Sequence, residues 1–127
     1  MNTNKDKEFD QNYSKLIEHP WMNLYFLRSA TWKWHNNGQI EILTQKGHNP
    51  VVLDEWQTLV FHSANTNQTV AELIRSLSAR YSNQEDIPAN LDQIIIKALE
   101  YLVEEVQAVR MTTSKMDIPE EYEFPLE

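Results

Sequence analysis

The sequence predicts an α+β domain in which a run of antiparallel strands is followed by a run of helices. Three observations carry that prediction. Apolar, aromatic and β-branched residues gather in short segments between positions 21 and 53. Helix-start patterns occur at Asp54 and Thr69. From there to position 106 the apolar residues recur at helical spacing. Strands first and helices afterwards indicate α+β rather than the alternating units of a parallel sheet. The 127 residues are one domain's worth. An aromatic content of 10% argues against disorder over most of the length.

The elements follow in order. Residues 1–8 are polar and read as a flexible tail. Phe9, Tyr13, Leu16 and Ile17 then fall at helical spacing, in a stretch too short to assign. Residues 21–27 are dense in aromatic and aliphatic side chains and read as a buried strand. Residues 31–35 and 39–43 flank Asn36-Asn37-Gly38. A two-residue turn at Asn37-Gly38 would pair Trp34 with Glu41 and Lys33 with Ile42, putting a charge on each apolar face. A three-residue loop pairs Trp34 with Ile40, Trp32 with Ile42 and Lys33 with Glu41. One face is then apolar and the other carries an opposite-charge pair. Gly38 supplies the left-handed residue that such loops require, so the three-residue loop is the expected register. Gly47-His48-Asn49-Pro50 marks a second turn, and Val51-Val52-Leu53 a third strand.

The pattern changes at Asp54. Asp54-Glu55-Trp56-Gln57 is a capping box, and a first helix over 55–64 would place Trp56, Leu59, Val60 and Ser63 on one face. Asn65-Thr66-Asn67-Gln68 reads as a break. Thr69-Val70-Ala71-Glu72 is a second capping box, opening a helix over 70–81 with Val70, Leu73, Ile74, Leu77 and Tyr81 as its stripe. After a polar loop at 82–86, Pro88 suits the first turn of a third helix over 89–106. Residues 111–115 lead into an acidic C-terminal tail, 116–127, that is either disordered or an extended strap. Small sheet plus three short helices is the winged-helix composition: N-terminal antiparallel strands, three or more, then a three-helix bundle.

The third helix is the informative one. Leu91, Ile95, Ala98, Leu99, Leu102 and Val106 share one side. Ile94 and Tyr101 flank it on one edge, and Ile96 and Val103 on the other. The apolar arc is roughly 220° wide, against the 100° or so that one core face requires. Either the helix is central and packed on both sides, or one flank lines a groove left for a partner. Its remaining face carries Asp92, Gln93, Lys97, Glu100, Glu104, Glu105 and Gln107, four acids against one base. A winged helix reads DNA with its third helix in the major groove. That acidic face and a net charge of −8 speak against nucleic acid, which needs a basic stripe.

Other chemistry finds little support. With no cysteine, disulfides and thiolate metal sites are excluded. His19, His35, His48 and His62 fall at no metal-ligand spacing, and two glycines make no phosphate cradle. The expectation is therefore a non-enzymatic protein without metal or cofactor. No signal segment or membrane span is visible, so a cytoplasmic location is expected. Trp32 and Trp34 are expected in the sheet-face core, Trp56 under the sheet, and Trp21 in core or rim. One of the four is expected to be partly exposed, because tryptophan anchors interfaces.

From Val51 onward the chain resembles a known family. Val51-Val52-Leu53-Asp54-Glu55 with the helix after it, then Asn65-Thr66-Asn67-Gln68-Thr69-Val70-Ala71-Glu72-Leu73, then Leu77, Tyr81 and the long final helix ending at Ala108-Val109, are similar to PqqD-like proteins, the RiPP recognition elements. The resemblance spans about residues 31–111. It departs from the family at Ala64-Asn65, where Asp-Gly is usual and where Asn is the residue suited to a left-handed turn. Residues 21–27 and the acidic tail are additions.

The resemblance implies a domain that binds the leader of a ribosomally made precursor peptide and presents it to a modifying enzyme. The leader would add as a strand to the third strand and lie against the third helix. Val51, Val52 and Leu53 would then offer the edge, and Ile94, Ile96, Tyr101 and Val103 the apolar pockets. An acidic surface favours a basic or neutral peptide. The domain proper is expected over 9–115, its partner a peptide or protein and neither nucleic acid nor membrane. Self-pairing of the edge strand would give a homodimer. A structural interaction module of another pathway is the alternative reading, with a DNA-binding winged-helix regulator behind it.

Overall fold

The Asn36-Asn37-Gly38 loop decides the register of the first hairpin. In the computed structural model, which describes residues 19–43, 49–80 and 90–126, Trp34 pairs with Ile40, Lys33 with Glu41 and Trp32 with Ile42. His35 N–H donates to the Gln39 carbonyl at 2.7 Å, and Gly38 takes φ 79°. Lys33 Nζ lies 3.4 Å from Glu41 Oε2 on the outer face. Residues 1–18, the turn at Gly47-His48, the loop 82–86 and Pro88 lie outside the described residues.

The elements in chain order are β1 (Tyr25–Arg28), β2 (Thr31–Trp34), β3 (Ile40–Leu43), β4 (Val51–Val52), α1 (Glu55–His62), β5 (Asn65–Thr69), α2 (Val70–Arg80), α3 (Leu91–Glu100, continued by a π-helical turn Tyr101–Glu105), β6 (Val109–Thr112) and α4 (Glu120–Glu123). The architecture is α+β, with two antiparallel three-stranded sheets ordered β5-β1-β6 and β2-β3-β4. Among the described residues no helix is long and apolar enough to cross a membrane.

Several expectations need correction. The strand expected over 21–27 occupies only Tyr25–Arg28. His19-Pro20-Trp21-Met22 is a turn instead, closed by Met22 N–H to the His19 carbonyl at 3.1 Å. Pro20 sets the φ that the second position of such a turn wants. Residues 65–69, expected as a break, form β5 against β1. The left-handed residue there is Thr66 (φ 60°) rather than Asn65. Residues 111–112, expected to lead into the tail, instead form β6 with Val109 and Arg110 on the other side of β1.

Both capping boxes are present. Asp54 Oδ1 accepts from Gln57 N–H at 2.7 Å and Gln57 Oε1 from Asp54 N–H at 3.0 Å. Thr69 and Glu72 make the same reciprocal pair. The inward face of α1 is carried by the fully buried Val60 and Phe61, with Trp56 and Leu59 half-buried beside them. Ile95, Leu99 and Leu102 of the third helix are fully buried, with Ile40, Ile42 and Leu53 of the sheet and Phe26 of β1 in the same core. Each such side chain contributes about 1.5–3 kcal/mol on burial. Asp92, expected on the polar face, is 9% exposed, and burial raises its pKa above the usual carboxylate value.

The third helix does not run evenly to Val106. From Tyr101 it widens, so that Val106 N–H reaches the Tyr101 carbonyl at 3.0 Å, five residues back. Gln107 then turns left-handed (φ 58°), and Ala108 N–H bonds the Leu102 carbonyl at 2.8 Å. Such a left-handed residue closes helices by capping their last carbonyls.

Candidate functional site

The acidic tail is a strap across the domain, gripped by its main chain. Arg28, on β1 and only 6% exposed, donates from Nε to the Tyr122 carbonyl at 3.1 Å and from Nη2 to the Glu123 carbonyl at 3.0 Å. Its Nη1 reaches the His62 carbonyl at the end of α1 at 2.9 Å. The guanidinium lies 5.5 Å from the ring centre of Trp32 and 6.0 Å from that of Phe61, in range for cation–π attraction. Trp32 Nε1 also donates to the Tyr122 carbonyl at 2.9 Å. Further back, the Thr66 hydroxyl donates to the Met116 carbonyl. Leu126 N–H completes the series by donating to the Trp32 carbonyl at 2.8 Å. Burial lowers the Arg28 pKa from its ordinary value while the Glu123 carboxylate opposes the shift. Burial, with Arg28 adding to it, also lowers that of His62.

The strap changes what the β2-β3-β4 sheet leaves exposed. Leu126 occupies part of the outer margin of β2. Among the described residues no strand pairs with the outer side of β4. Val51 lies opposite Ile42 and Val52 opposite Glu41. Leu53 N–H donates to the Ile40 carbonyl at 2.8 Å. The alternation of an antiparallel pair therefore turns the N–H and C=O of Val52 outward.

Beside β4 lies a cleft of about 860 Å³, within the size range of ligand sites. Val51 and Ile42 contribute from the sheet, with Thr31 and Leu43 at its end. Tyr101 and Glu105 of the π-helical turn, with Val106 and Gln107 just after it, form the wall. Glu121 and Tyr122 of the strap also line it. π-helical turns inside helices recur at functional sites because they re-aim side chains. Here the turn contributes both Tyr101 and Glu105 to the cleft.

The residues singled out from the sequence divide. Val51 and Tyr101 face the same cleft. Val52 is 44% exposed on the edge strand. Leu53 does not serve as edge: its side chain is fully buried, its N–H is bonded to β3 and its carbonyl accepts from the Thr58 hydroxyl at 3.4 Å. Ile96 is 5% exposed and sealed in the core, so it offers no pocket. Val103 packs half-buried on that core, and Ile94, on the same edge as Tyr101, is half-buried without lining the cleft. Most of the helix is central, and its Tyr101 end borders a cleft.

Sequence reasoning missed Arg28, Glu105, Val106, Gln107 and the strap residues. A lone arginine next to a buried strand was the available signal for the first. Of the tryptophans, Trp32 is buried, Trp34 is 47% exposed and packs edge-on against Trp32 at 5.5 Å, and Trp21 and Trp56 sit at the rim of the core. Among the described residues no three His, Asp or Glu side chains gather as metal ligands. Comparison with protein-family models gives no match, and comparison with curated proteins and with solved structures gives none either.

Proposed function

We propose that this chain is a peptide-binding adaptor of PqqD-like, winged-helix type, which holds an extended segment of a partner polypeptide by strand addition to β4 and catalyses no step itself. The observation that carries the reading is an edge strand, β4, whose Val52 main chain faces outward and whose Val51 lines one cleft with Tyr101. The order β2, β3 and β4, then α1, β5, α2 and α3, supports it in that three sheet strands precede the three main helices. So does the strap, which leaves β4 as the margin of that sheet without a neighbour among the described residues. On this reading the protein works in the cytoplasm, without metal or cofactor.

The strand is short, and this fixes where affinity comes from. Val52 offers one outward N–H and one C=O, worth about 1 kcal/mol net each. Micromolar binding needs about 8 kcal/mol. Side chains entering the cleft must therefore supply most of the binding energy. The test pans a library of random short peptides against the folded chain and titrates enriched peptides by calorimetry and by amide NMR. Binding should shift Val51, Val52 and Tyr101. Val52→Pro, which removes the outward N–H at an edge position that tolerates proline, should weaken it at least about tenfold with the fold retained. A library that yields no binder, or binders indifferent to Val52→Pro, overturns the reading.

A docking module for a folded partner is the second reading. The exposure of Trp34 (47%) and Phe124 (67%) favours it. On that reading Trp34→Ala abolishes partner capture while Val52→Pro does not.

A further inference from the structure

The C-terminal strap rests on the domain without a buried anchor of its own. It is held by Arg28, by the Trp32 indole, by the Thr66 hydroxyl and by the bond from Leu126 N–H to the Trp32 carbonyl. Each of these uses a main-chain atom of the strap. From Thr113 to Leu126 no residue is buried. Residues 113–117, where β6 gives way to the strap, are all exposed, and Pro119 is extended (φ −53°, ψ 136°). An exposed, extended connection of this kind is a hinge about which a terminal element can change partner. The large apolar side chains left exposed gather on the same element. Met116, Phe124 and Leu126 belong to the strap, and Trp34 lies two residues along β2 from the carbonyl that Leu126 binds. We infer that the strap exchanges between two copies of this chain, each laying its strap on the Arg28–Trp32 seat of the other, to give a two-fold, strap-swapped dimer.

The seat reads carbonyl and amide groups, so its bonds are the same whichever copy supplies the strap. What differs is tethering and extra surface. A strap joined to its own domain is present there at an effective concentration of about millimolar. Exchange with no added contact would need protein at about that concentration. The bare apolar side chains supply the added contact. Crossing straps bring those of both copies together, and their burial lowers the concentration required. The cleft is then completed in trans, because its Glu121 and Tyr122 lining comes from the other copy. The inference goes beyond the adaptor reading and does not depend on it: the seat is at the β2 margin, the opposite edge of the sheet from β4.

The test follows one copy's strap on another copy's seat. The chain has no cysteine, so Glu120→Cys carries a single nitroxide label at an exposed strap position. This copy, without isotope, is mixed at about millimolar concentration with an isotope-labelled copy that bears no nitroxide. Swapping sets the nitroxide of the first beside the Trp32 indole N–H of the second, whose NMR signal should broaden. Arg28→Met in the isotope-labelled copy removes two charged bonds from the seat and should cut that broadening about tenfold or more. By sedimentation equilibrium the unlabelled chain should dimerise with a Kd below about millimolar. Trp34→Ser and Phe124→Ser should each raise that Kd about threefold to tenfold, and Val52→Pro should leave it unchanged. Circular dichroism confirms that the variants fold. A Trp32 indole signal that stays sharp in the mixture overturns the inference, as does broadening indifferent to Arg28→Met. A dimer abolished by Val52→Pro also overturns it, in favour of pairing through β4. None of these results bears on whether a peptide binds at β4.

Discussion

Replacing Arg28 with methionine should free the strap while filling much of the same space. Two of the three Arg28 hydrogen bonds reach the strap, at the Tyr122 and Glu123 carbonyls. Bonds from a charged donor contribute about 1.5–3 kcal/mol each, so the pair amounts to about 3–6 kcal/mol before costs. The opposing cost is dehydration of a guanidinium that is 6% exposed, of order several kcal/mol for a buried ion. Methionine removes that cost along with the bonds, and the Tyr122 carbonyl keeps its bond from Trp32 Nε1. The net loss in strap docking is then roughly 2–3 kcal/mol. At about 1.4 kcal/mol per decade, the strap should open about 30–140 times more often.

Hydrogen exchange measures this directly, because exchange of a protected N–H reports the local opening equilibrium. The Leu126 amide and the Trp32 indole N–H, both bonded to or from the strap junction, should exchange faster by that factor. Amides in the middle of α3 should change little. Arg28→Lys, which keeps the charge but lacks the planar fork of donors, should fall between. A Leu126 exchange rate unchanged in Arg28→Met would refute the claim that Arg28 holds the strap.

Three further outcomes follow from the same structure. Gly38→Ala should destabilise by about 1 kcal/mol in urea denaturation, all of it backbone strain, since φ is 79° and nothing lies within 4 Å of an added Cβ. Asp54→Ala should cost about 1 kcal/mol through loss of the cap on α1, read as a lower urea midpoint. His62 has its pKa lowered by burial and by Arg28, so folding favours its neutral form. That contribution is complete above the ordinary histidine value and is lost as pH falls through it. The urea midpoint should therefore drop as pH falls below the ordinary histidine value toward the lower folded-state one, and His62→Gln should flatten the slope.

How far the fold could be read from the chain depended on whether its local chemistry was self-sufficient. The hairpin register was legible because only one loop length puts Lys33 opposite Glu41 and both tryptophans on one face. The capping boxes at Asp54 and Thr69 were legible for a similar reason, each being complete within four residues. β5 was not. Its residues Asn65-Thr66-Asn67-Gln68-Thr69 include no apolar side chain, and it is a strand because the main chain of β1 lies alongside. β6 is likewise set by pairing with β1 rather than by its own four residues. Strand 21–27 was drawn too long because apolar density outweighed the turn that Pro20 starts.

The cleft was half legible. Tyr101 followed from the width of the apolar arc and Val51 from the edge strand. The π-helical widening that brings in Glu105 leaves no periodic mark in a window this short. The strap's contribution depends on Arg28, nearly a hundred residues away in sequence.

A clasp that closes on carbonyl oxygens is indifferent to which amino acids bear them. The strap's hydrogen bonds to the domain run through main-chain atoms of Met116, Tyr122, Glu123 and Leu126, and two of its side chains, Glu121 and Tyr122, furnish the cleft. Main-chain fastening and cleft lining are thus written in separate alphabets along the same dozen residues. The lining letters could be rewritten, Glu121 to lysine or Tyr122 to leucine, with the buckle left as it is. Grafting such an exchangeable terminal cassette is the engineering opportunity that this arrangement opens.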